Sequence, residues 1–164
     1  MEIVDVYDIH KNKLNKTIVR GHSEDLQEGE YVRAVSIWIK SGIRFLVQKV
    51  SKEKGSWWAA TSGALSTGNE SLDQAVIECK EELNLDVKKV QLQYVGDLIF
   101  NDVIIDVYLY DSDEDLEAVE LTLQESEVEK VAWLSANEIE DMILKGELRQ
   151  SSCESFLKYI KKYV

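Results

Sequence analysis

The sequence contains no proline and only two cysteines among its 164 residues. Because it also lacks any Gly/Ser-rich or low-complexity stretch, no segment has the composition of a linker, and we predict one domain over residues 1–164. Two cysteines are too few for a disulfide framework. We therefore expect Cys79 and Cys153 to be free thiols, with Cys79 in the core of a helix.

Long apolar runs and an excess of positive charge are also missing. No run of about 18 apolar residues is present, and the N-terminus lacks the basic-then-apolar order of a secretory signal, so we expect a soluble, cytoplasmic protein with no membrane partner. The 31 acidic and 19 basic residues give a formal net charge of -12, which disfavours nucleic-acid polymers as partners. A small phosphorylated substrate is compatible, because a metal held by carboxylates reverses the local field. A homodimer is also compatible with the sequence.

Apolar patterning predicts strands, a central helix, further strands and two terminal helices. The strand-like segments are 2–9, 17–20, 31–39, 43–50, 87–99, 103–110 and 131–134, with a hairpin turn at Ser41-Gly42 and loops over 51–68 and 111–130. The predicted helices are 71–84, 136–145 and 152–163, and capping boxes are predicted at Ser71/Gln74, Ser135/Glu138 and Ser151/Glu154. This order indicates an α/β (α+β) layer fold, with residues 1–29 as a strand-bearing extension.

The central predicted helix carries a cluster of carboxylates. Glu78, Glu81 and Glu82 are spaced i, i+3 and i+4, so their side chains crowd one face. Like charges at this spacing cost about 0.2–0.5 kcal/mol per pair, and a solvated acidic face is the ordinary explanation. Here, however, a glycine-containing loop precedes the helix, and clustered carboxylate oxygens are the ligands that Mg²⁺ or Mn²⁺ takes beside phosphate. The cluster is therefore a candidate metal site.

The spacing around this cluster resembles the Nudix (MutT-like) box, G-x5-E-x7-R-E-U-x-E-E-x-G-U, in which U is a bulky aliphatic residue. The matching residues are Gly63, Glu78, Glu81, Glu82 and Leu85, with Cys79 as an apolar substitute. The segments 30–38, 45–49, 58–63 and 127–135 also look like Nudix proteins of the subgroup similar to isopentenyl-diphosphate isomerase. The resemblance covers most of the chain.

This resemblance implies a Nudix fold, with a mixed β-sheet sandwiched between helices, and a metal-dependent pyrophosphohydrolase. The expected substrate is a nucleoside diphosphate derivative or a similar small organic diphosphate. Mg²⁺ or Mn²⁺ is implied as the cofactor, with Glu78, Glu81 and Glu82 as ligands. Many family members use a further glutamate before the last strand as metal ligand or base, for which Glu127 is the first candidate and Glu125 the second. Glu78 is the other candidate for the catalytic base.

Two residues near the start of the box are candidates for substrate contact. Gly63 opens the box, and Trp58 could stack on a base. Adjacent tryptophans such as Trp57 and Trp58 are more often one core residue and one residue at its rim.

Three positions depart from the box: Asn69 replaces Glu, Ile77 replaces Arg and Asn84 replaces Gly. In the family, that Glu and Arg support the loop and helix through a salt bridge. Replacing both partners together can be nearly neutral for folding, whereas losing one would leave an unpaired charge. Asn84 suits a helix end, because asparagine follows glycine as the residue for a left-handed cap.

Three functions are compatible with these features. The intact glutamates favour a hydrolase, since a protein that only binds has no need of an electrostatically costly cluster. The replaced residues Asn69 and Ile77 favour a non-catalytic Nudix-fold module that binds a nucleotide or a protein. The subgroup resemblance raises isomerisation of isopentenyl diphosphate, but the cysteine and the histidine-rich metal site of that chemistry are missing near the box.

Overall fold

The computed structural model describes all 164 residues. Its strands are β1 (Ile3–Tyr7), β2 (Lys13–Val19), β3 (Val32–Ser41), β4 (Arg44–Val50), β5 (Trp58–Ala59), β6 (Thr61–Ala64), β7 (Leu92–Phe100), β8 (Val103–Asp111) and β9 (Val128–Ser135). Its helices are α1 (Ser71–Leu83), α2 (Ala136–Leu144) and α3 (Gln150–Ser155). Helix α3 continues as a π-helical turn over Phe156–Ile160 and a 3-10 turn over Lys161–Tyr163. The predicted α+β class is confirmed.

Strand β3 lies at the centre of a seven-stranded mixed sheet. It runs parallel to β8, which pairs antiparallel with β7. On its other side, β3 pairs antiparallel with β6. Near the turn that connects β3 to β4, it also pairs antiparallel with β4. Strand β4 then diverges to pair with β5 and β9, while β1 and β2 form a separate hairpin. This divergence leaves β6, which carries Gly63, beside the central strand and next to α1.

Hydrophobic layers cover both faces of the sheet, because side chains alternate along each strand. The β3 residues that pack in one cluster with α1 are Val35, Ile37 and Ile39, and the fully buried Cys79 of α1 belongs to the same cluster. Trp38 points to the opposite face and contacts Phe156, with ring centroids 5.3 Å apart. The sheet therefore lies between α1 on one side and the C-terminal helices on the other, as predicted.

The N-terminal hairpin is attached to this sheet by a largely buried ion-pair network. Lys11, in the β1–β2 turn, places its Nζ 2.7 Å from carboxylate oxygens of both Asp97 and Asp106. Arg33 contacts the other oxygen of Asp106 at 2.5 Å. Burial opposes the charge on Lys11, but hydrogen bonds to Asp106 and Asp97 raise its pKa above the ordinary value. The hairpin is thus fixed against β7 and β8.

Some predicted boundaries were wrong. Residues 51–68 are not one loop, because they contain β5 and β6, whose pairing with β4 and β3 gives no periodic signal in the sequence. Strand β7 begins at Leu92 rather than at residue 87. The β3–β4 turn consists of Gly42 and Ile43, one residue later than predicted, and Gly42 has the positive φ (+58°) that such turns require.

The capping predictions had mixed outcomes. The Ser135/Glu138 box is confirmed, with Ser135 Oγ accepting from the Glu138 N–H at 3.2 Å. At the other two helices the prediction was wrong: α1 has Glu70 at its N-cap and α3 has Arg149, both without a side-chain cap. The predicted end of α1 is confirmed, since Asn84 adopts a left-handed conformation and its N–H donates to carbonyl oxygens of the last turn.

No helix in the structure has both the length and the apolar character needed to span a membrane.

Candidate active site

Helix α1 directs two glutamates into the protein and leaves a third in solvent. Glu78 and Glu82, one turn apart, are 9% and 5% exposed, whereas Glu81 is exposed. The carboxyl groups of Glu78 and Glu82 lie within hydrogen-bonding reach of each other. Glu81 lines the same cleft, but the oxygens of all three glutamates do not fall within 4.8 Å of one another. The predicted cluster is therefore a close pair with a third carboxylate beside it.

Neutral amides orient the buried pair. Gln48 Nε2 donates to Glu82 Oε1 at 2.6 Å, and Gln74 Nε2 donates to Glu78 Oε1 at 2.9 Å. Thr61 Oγ1 donates to the amide oxygen of Gln48 at 2.8 Å, which fixes the amide with its NH₂ toward Glu82. No lysine, arginine or histidine forms an ion pair with either glutamate, although Arg20 is near enough to lower the pKa of Glu78.

The amide of Gln74 also connects the preceding loop to α1. Its oxygen accepts from the Ser66 N–H at 3.1 Å and from Asn69 Nδ2 at 3.0 Å. Asn69 occupies the position of the replaced box glutamate, while Ile77, at the arginine position, lines the cleft. A neutral hydrogen-bonded link thus joins loop and helix at the place where a salt bridge is expected from the box.

The environment of the pair favours the protonated form. Burial, followed by the hydrogen bond with Glu78, raises the pKa of Glu82 to about 9. Burial also raises the pKa of Glu78. Two carboxyl groups so close together share a proton unless a cation is present, because both cannot ionise at low cost in a buried site.

Gly63 lies directly against this pair. It sits in β6 opposite Val35 of β3, and a Cβ added to it would overlap the carboxyl group of Glu78. The absence of a side chain at Gly63 therefore leaves the space that the Glu78 carboxyl occupies, and any side chain there would displace that carboxyl.

Glu127 reaches the cleft from the segment that precedes β9. This segment is held to the end of α1, since the Thr122 and Gln124 N–H groups donate to the carbonyl oxygens of Leu83 and Glu82. Glu127 lines the cleft and forms an ion pair with Lys54 at 2.5 Å, whereas Glu125 is exposed and does not line the cleft.

Trp58 is not part of this group. Its ring packs against the hydrophobic cluster on the helix α3 side of the sheet and lies 5.7 Å from Lys130 Nζ. It lines neither of the two main cavities.

Two adjoining cavities meet at these residues. The carboxylate cleft, of about 350 Å³, is lined by Gly63, Glu78, Glu81, Glu82, Glu127 and further polar residues. The side cavity, of about 520 Å³, is lined among others by Ser36, Gln48, Lys54, Ile105 and Arg149. Gly63, Glu82 and Glu127 line both, so a molecule bound in one cavity could extend into the other.

A divalent cation fits the donor set of the carboxylate cleft. Glu78 and Glu82 offer hard oxygen ligands in a buried position, with no ion-paired cation to compete. Glu81 and Glu127 are the other carboxylates that line the cleft near them.

Several residues at the site were not identified from the sequence. The amides of Gln48 and Gln74 and the cations of Lys54 and Arg149 all contact or adjoin the carboxylates. Gln74 lies one turn before Glu78, and this i, i+4 spacing was the one available signal. The others come from distant segments and carry no local motif.

Comparisons with known proteins identify the family of this chain. The sequence profile described as NUDIX domain matches residues 30–153. The chain is 30% identical to an uncharacterized Nudix hydrolase of Listeria innocua over 90% of this chain and 88% of that protein. It is 28% identical to Nudix hydrolase 3 of Arabidopsis thaliana over 86% of this chain, but it spans only 20% of the plant protein.

Solved structures show the same fold at low identity. A Deinococcus radiodurans protein aligns with a TM-score of 0.72 at 18% identity, covering 90% of this chain and 91% of its own. A Francisella tularensis bifunctional NMN adenylyltransferase/ADP ribose pyrophosphatase, complexed with AMP and a Mn ion, aligns with a TM-score of 0.66 at 14% identity, covering 77% and 40%. The profile match extends over most of the chain and includes Gly63 and all three α1 glutamates, and so this protein belongs to the Nudix family.

Proposed function

We propose that this protein is a metal-dependent hydrolase that cleaves the diphosphate linkage of a nucleoside diphosphate derivative or a similar small organic diphosphate. The observation that carries the proposal is the buried Glu78–Glu82 pair, which forms no ion pair with a cationic side chain and opens into a cleft next to a larger cavity. Holding two carboxylates so close is unfavourable for the protein alone, and it is useful when a divalent cation occupies the cleft.

Glu78, Glu81 and Glu82 are the proposed ligands of Mg²⁺ or Mn²⁺. The Francisella tularensis structure is a complex with AMP and a Mn ion, which supports a divalent metal in this fold. Such an ion supplies charge neutralisation for the diphosphate and lowers the pKa of bound water. Gln48 and Gln74 keep the Glu82 and Glu78 carboxylates oriented, and Gly63 leaves the space in which Glu78 lies.

Glu127 is the proposed base that accepts the proton of the attacking water, with Glu78 as the second candidate. Glu127 comes from a different segment than α1 and lines both cavities, and its carboxylate is held by Lys54. It can therefore act on a substrate that extends from the cleft into the side cavity. The lysine orients this carboxylate without burying it.

The side cavity is the proposed site for the rest of the substrate. Arg149 is half-buried there and makes no side-chain hydrogen bond or ion pair, and burial lowers its pKa. A guanidinium without a partner next to a diphosphate cleft suits a phosphate oxygen, because two parallel N–H groups can bind it. Trp58, outside both cavities, has no part in this proposal.

The test is a hydrolysis screen with Mg²⁺ and Mn²⁺ over dinucleotides, nucleotide sugars, nucleoside triphosphates and prenyl diphosphates. We expect the wild-type protein to release phosphate or a nucleotide from at least one compound, and Glu82→Gln to lower kcat by about a hundredfold or more. Glu129→Gln is the matched control, since Glu129 is an exposed glutamate on β9 that lines neither the carboxylate cleft nor the side cavity.

Two outcomes would overturn the proposal. One is the absence of hydrolysis for every compound and both metals. The other is equal activity of wild type and Glu82→Gln on each compound that is cleaved. The Glu82→Gln side chain can keep the hydrogen bonds to Gln48 and Glu78, so a loss of activity would not be due to unfolding.

A further inference from the structure

The N-terminal hairpin borders the carboxylate cleft although the profile match begins only at residue 30. Arg20 follows β2 directly and lines both the carboxylate cleft and the side cavity. Glu2, at the start of the same hairpin, also lines the carboxylate cleft. Residues outside the matched region therefore form part of the cleft wall.

Contacts at this end of the hairpin fix it to the loop before α1. Thr67 Oγ1 donates to the Ile3 carbonyl oxygen at 2.8 Å, and Ser66 Oγ donates to Glu2 Oε1 at 3.0 Å. At the far end, Lys11 is bound to Asp97 and Asp106 as described above. With both ends of the hairpin held, Arg20 has a defined position at the cleft rather than on a free arm.

Arg20 is the only cation among the fourteen residues that line the carboxylate cleft. The acidic residues there are Glu2, Glu78, Glu81, Glu82 and Glu127. Arg20 is close enough to lower the pKa of Glu78, against the larger effect of burial. A diphosphate that enters this cleft would meet one guanidinium.

The present partner of Arg20 is easily exchanged. Its Nη1 lies 3.0 Å from Glu2 Oε2, and the two side chains are 51% and 39% exposed. An ion pair this exposed contributes little to stability. A phosphate group carries more charge than the Glu2 carboxylate and matches the planar fork of the guanidinium.

We propose that Arg20 binds a phosphate group of the substrate and that Glu2 is displaced when it does so. This inference rests on the proposed diphosphate hydrolysis. It assigns a substrate-binding role to the N-terminal hairpin and makes Glu2 a competitor of the substrate for the same guanidinium.

The test compares Arg20→Gln, Glu2→Gln and Lys13→Gln with the wild type on a compound cleaved in the screen. Losing a charge-assisted phosphate contact should raise KM about ten- to hundredfold in Arg20→Gln and leave kcat within about twofold. Glu2→Gln should lower KM or leave it unchanged, since it frees Arg20. Lys13→Gln should match wild type, because Lys13 is a cation of the same hairpin that pairs with Asp5 and lines neither cavity.

The different results expected for the two variants, a raised KM in Arg20→Gln and a KM that is not raised in Glu2→Gln, separate substrate binding from a structural role. If the ion pair only held the hairpin in place, both variants would raise KM alike, and this result would overturn the inference. An unchanged KM in Arg20→Gln would overturn it as well.

Failure of the hydrolysis proposal would be recognised separately, as a wild-type protein that cleaves nothing. In that case, calorimetric titration with inorganic pyrophosphate and Mg²⁺ decides the role of Arg20. Weaker binding by Arg20→Gln than by Lys13→Gln would support it, and equal binding by the two variants would contradict it.

Discussion

Stability of the metal-free protein should fall as pH rises, because of the Glu78–Glu82 pair. In the folded state the pKa of Glu82 is raised from its ordinary value of 4.5 to about 9, by burial and by the hydrogen bond with Glu78. Between these values the folded protein binds about one proton more than the unfolded chain. The contribution of this proton to the free energy of unfolding is fully present below the ordinary pKa of 4.5. It is lost as pH rises toward the folded-state pKa of about 9. The substitution Glu82→Gln replaces the protonated carboxyl with a neutral amide and should remove this dependence.

The magnitude follows from the linkage of one proton. One extra proton in the folded state changes the unfolding free energy by about -1.4 kcal/mol per pH unit, or about -3 kcal/mol between pH 6 and pH 8. This is a large share of the roughly 5–15 kcal/mol that stabilises a typical domain. In Glu82→Gln the same interval should produce a much smaller change, so the variant should be more stable than wild type at pH 8.

The measurement is urea denaturation at pH 6, 7 and 8 in the presence of EDTA. Glu81→Gln is the matched control, since Glu81 is on the same helix but exposed, and it should keep the wild-type slope. Adding Mg²⁺ at pH 8 should raise the free energy of unfolding of the wild-type protein. The same addition should raise that of Glu82→Gln by less. If wild type and Glu82→Gln had equal slopes in EDTA, the shared proton would be refuted.

Three further substitutions test other parts of the molecule. Gly63→Ala should displace the Glu78 carboxyl and reduce kcat about a hundredfold with an unchanged circular dichroism spectrum; full activity would contradict the close contact. Lys11→Met leaves the buried Asp106 with one cation, and urea denaturation should show that the free energy of unfolding falls by about 3 kcal/mol. A fall below about 0.5 kcal/mol would show that the ion pair is no stronger than an exposed one. Ser155→Ala removes the acceptor 2.9 Å from Trp38 Nε1 in the core, and the same assay should show a loss of about 1–3 kcal/mol; an unchanged midpoint would refute this.

The central helix could be predicted from sequence because its signals are local. The i, i+3, i+4 spacing of apolar residues placed Cys79 in the core, and Asn84 marked the helix end. The same spacing put Glu78 and Glu82 on one face. It could not reveal that the face is buried, since burial depends on β6 and on the segment before β9.

Two of the failed predictions, the cap of α1 and the loop over 51–68, are explained by tertiary contacts. Ser71 has the sequence of a helix cap, but its hydroxyl bonds Tyr108 at 2.8 Å, while Gln74 bonds Glu78 and the preceding loop. Strands β5 and β6 are too short for an alternating pattern and form only because β4 and β3 offer pairing partners.

The site residues that could be predicted are those of the box and, from the family resemblance, Glu127 before the last strand. Arg20, Lys54 and Arg149 come from three distant parts of the chain, and each reads in sequence as an ordinary surface cation. Their convergence on one pair of cavities depends on the docking of the hairpin, the β4–β5 connection and the start of α3, none of which has a local motif.

The buried carboxylate of Asp106 has a consequence for where the functional unit begins. A fragment starting at residue 30, where the family similarity starts, would keep Arg33 but lose Lys11, and so would leave Asp106 and Asp97 with an excess of negative charge at the sheet surface. The family similarity therefore begins at residue 30, whereas the ion pairs of Asp97 and Asp106 require the chain from Lys11 onward. For recombinant expression or domain grafting, the first 29 residues should be included.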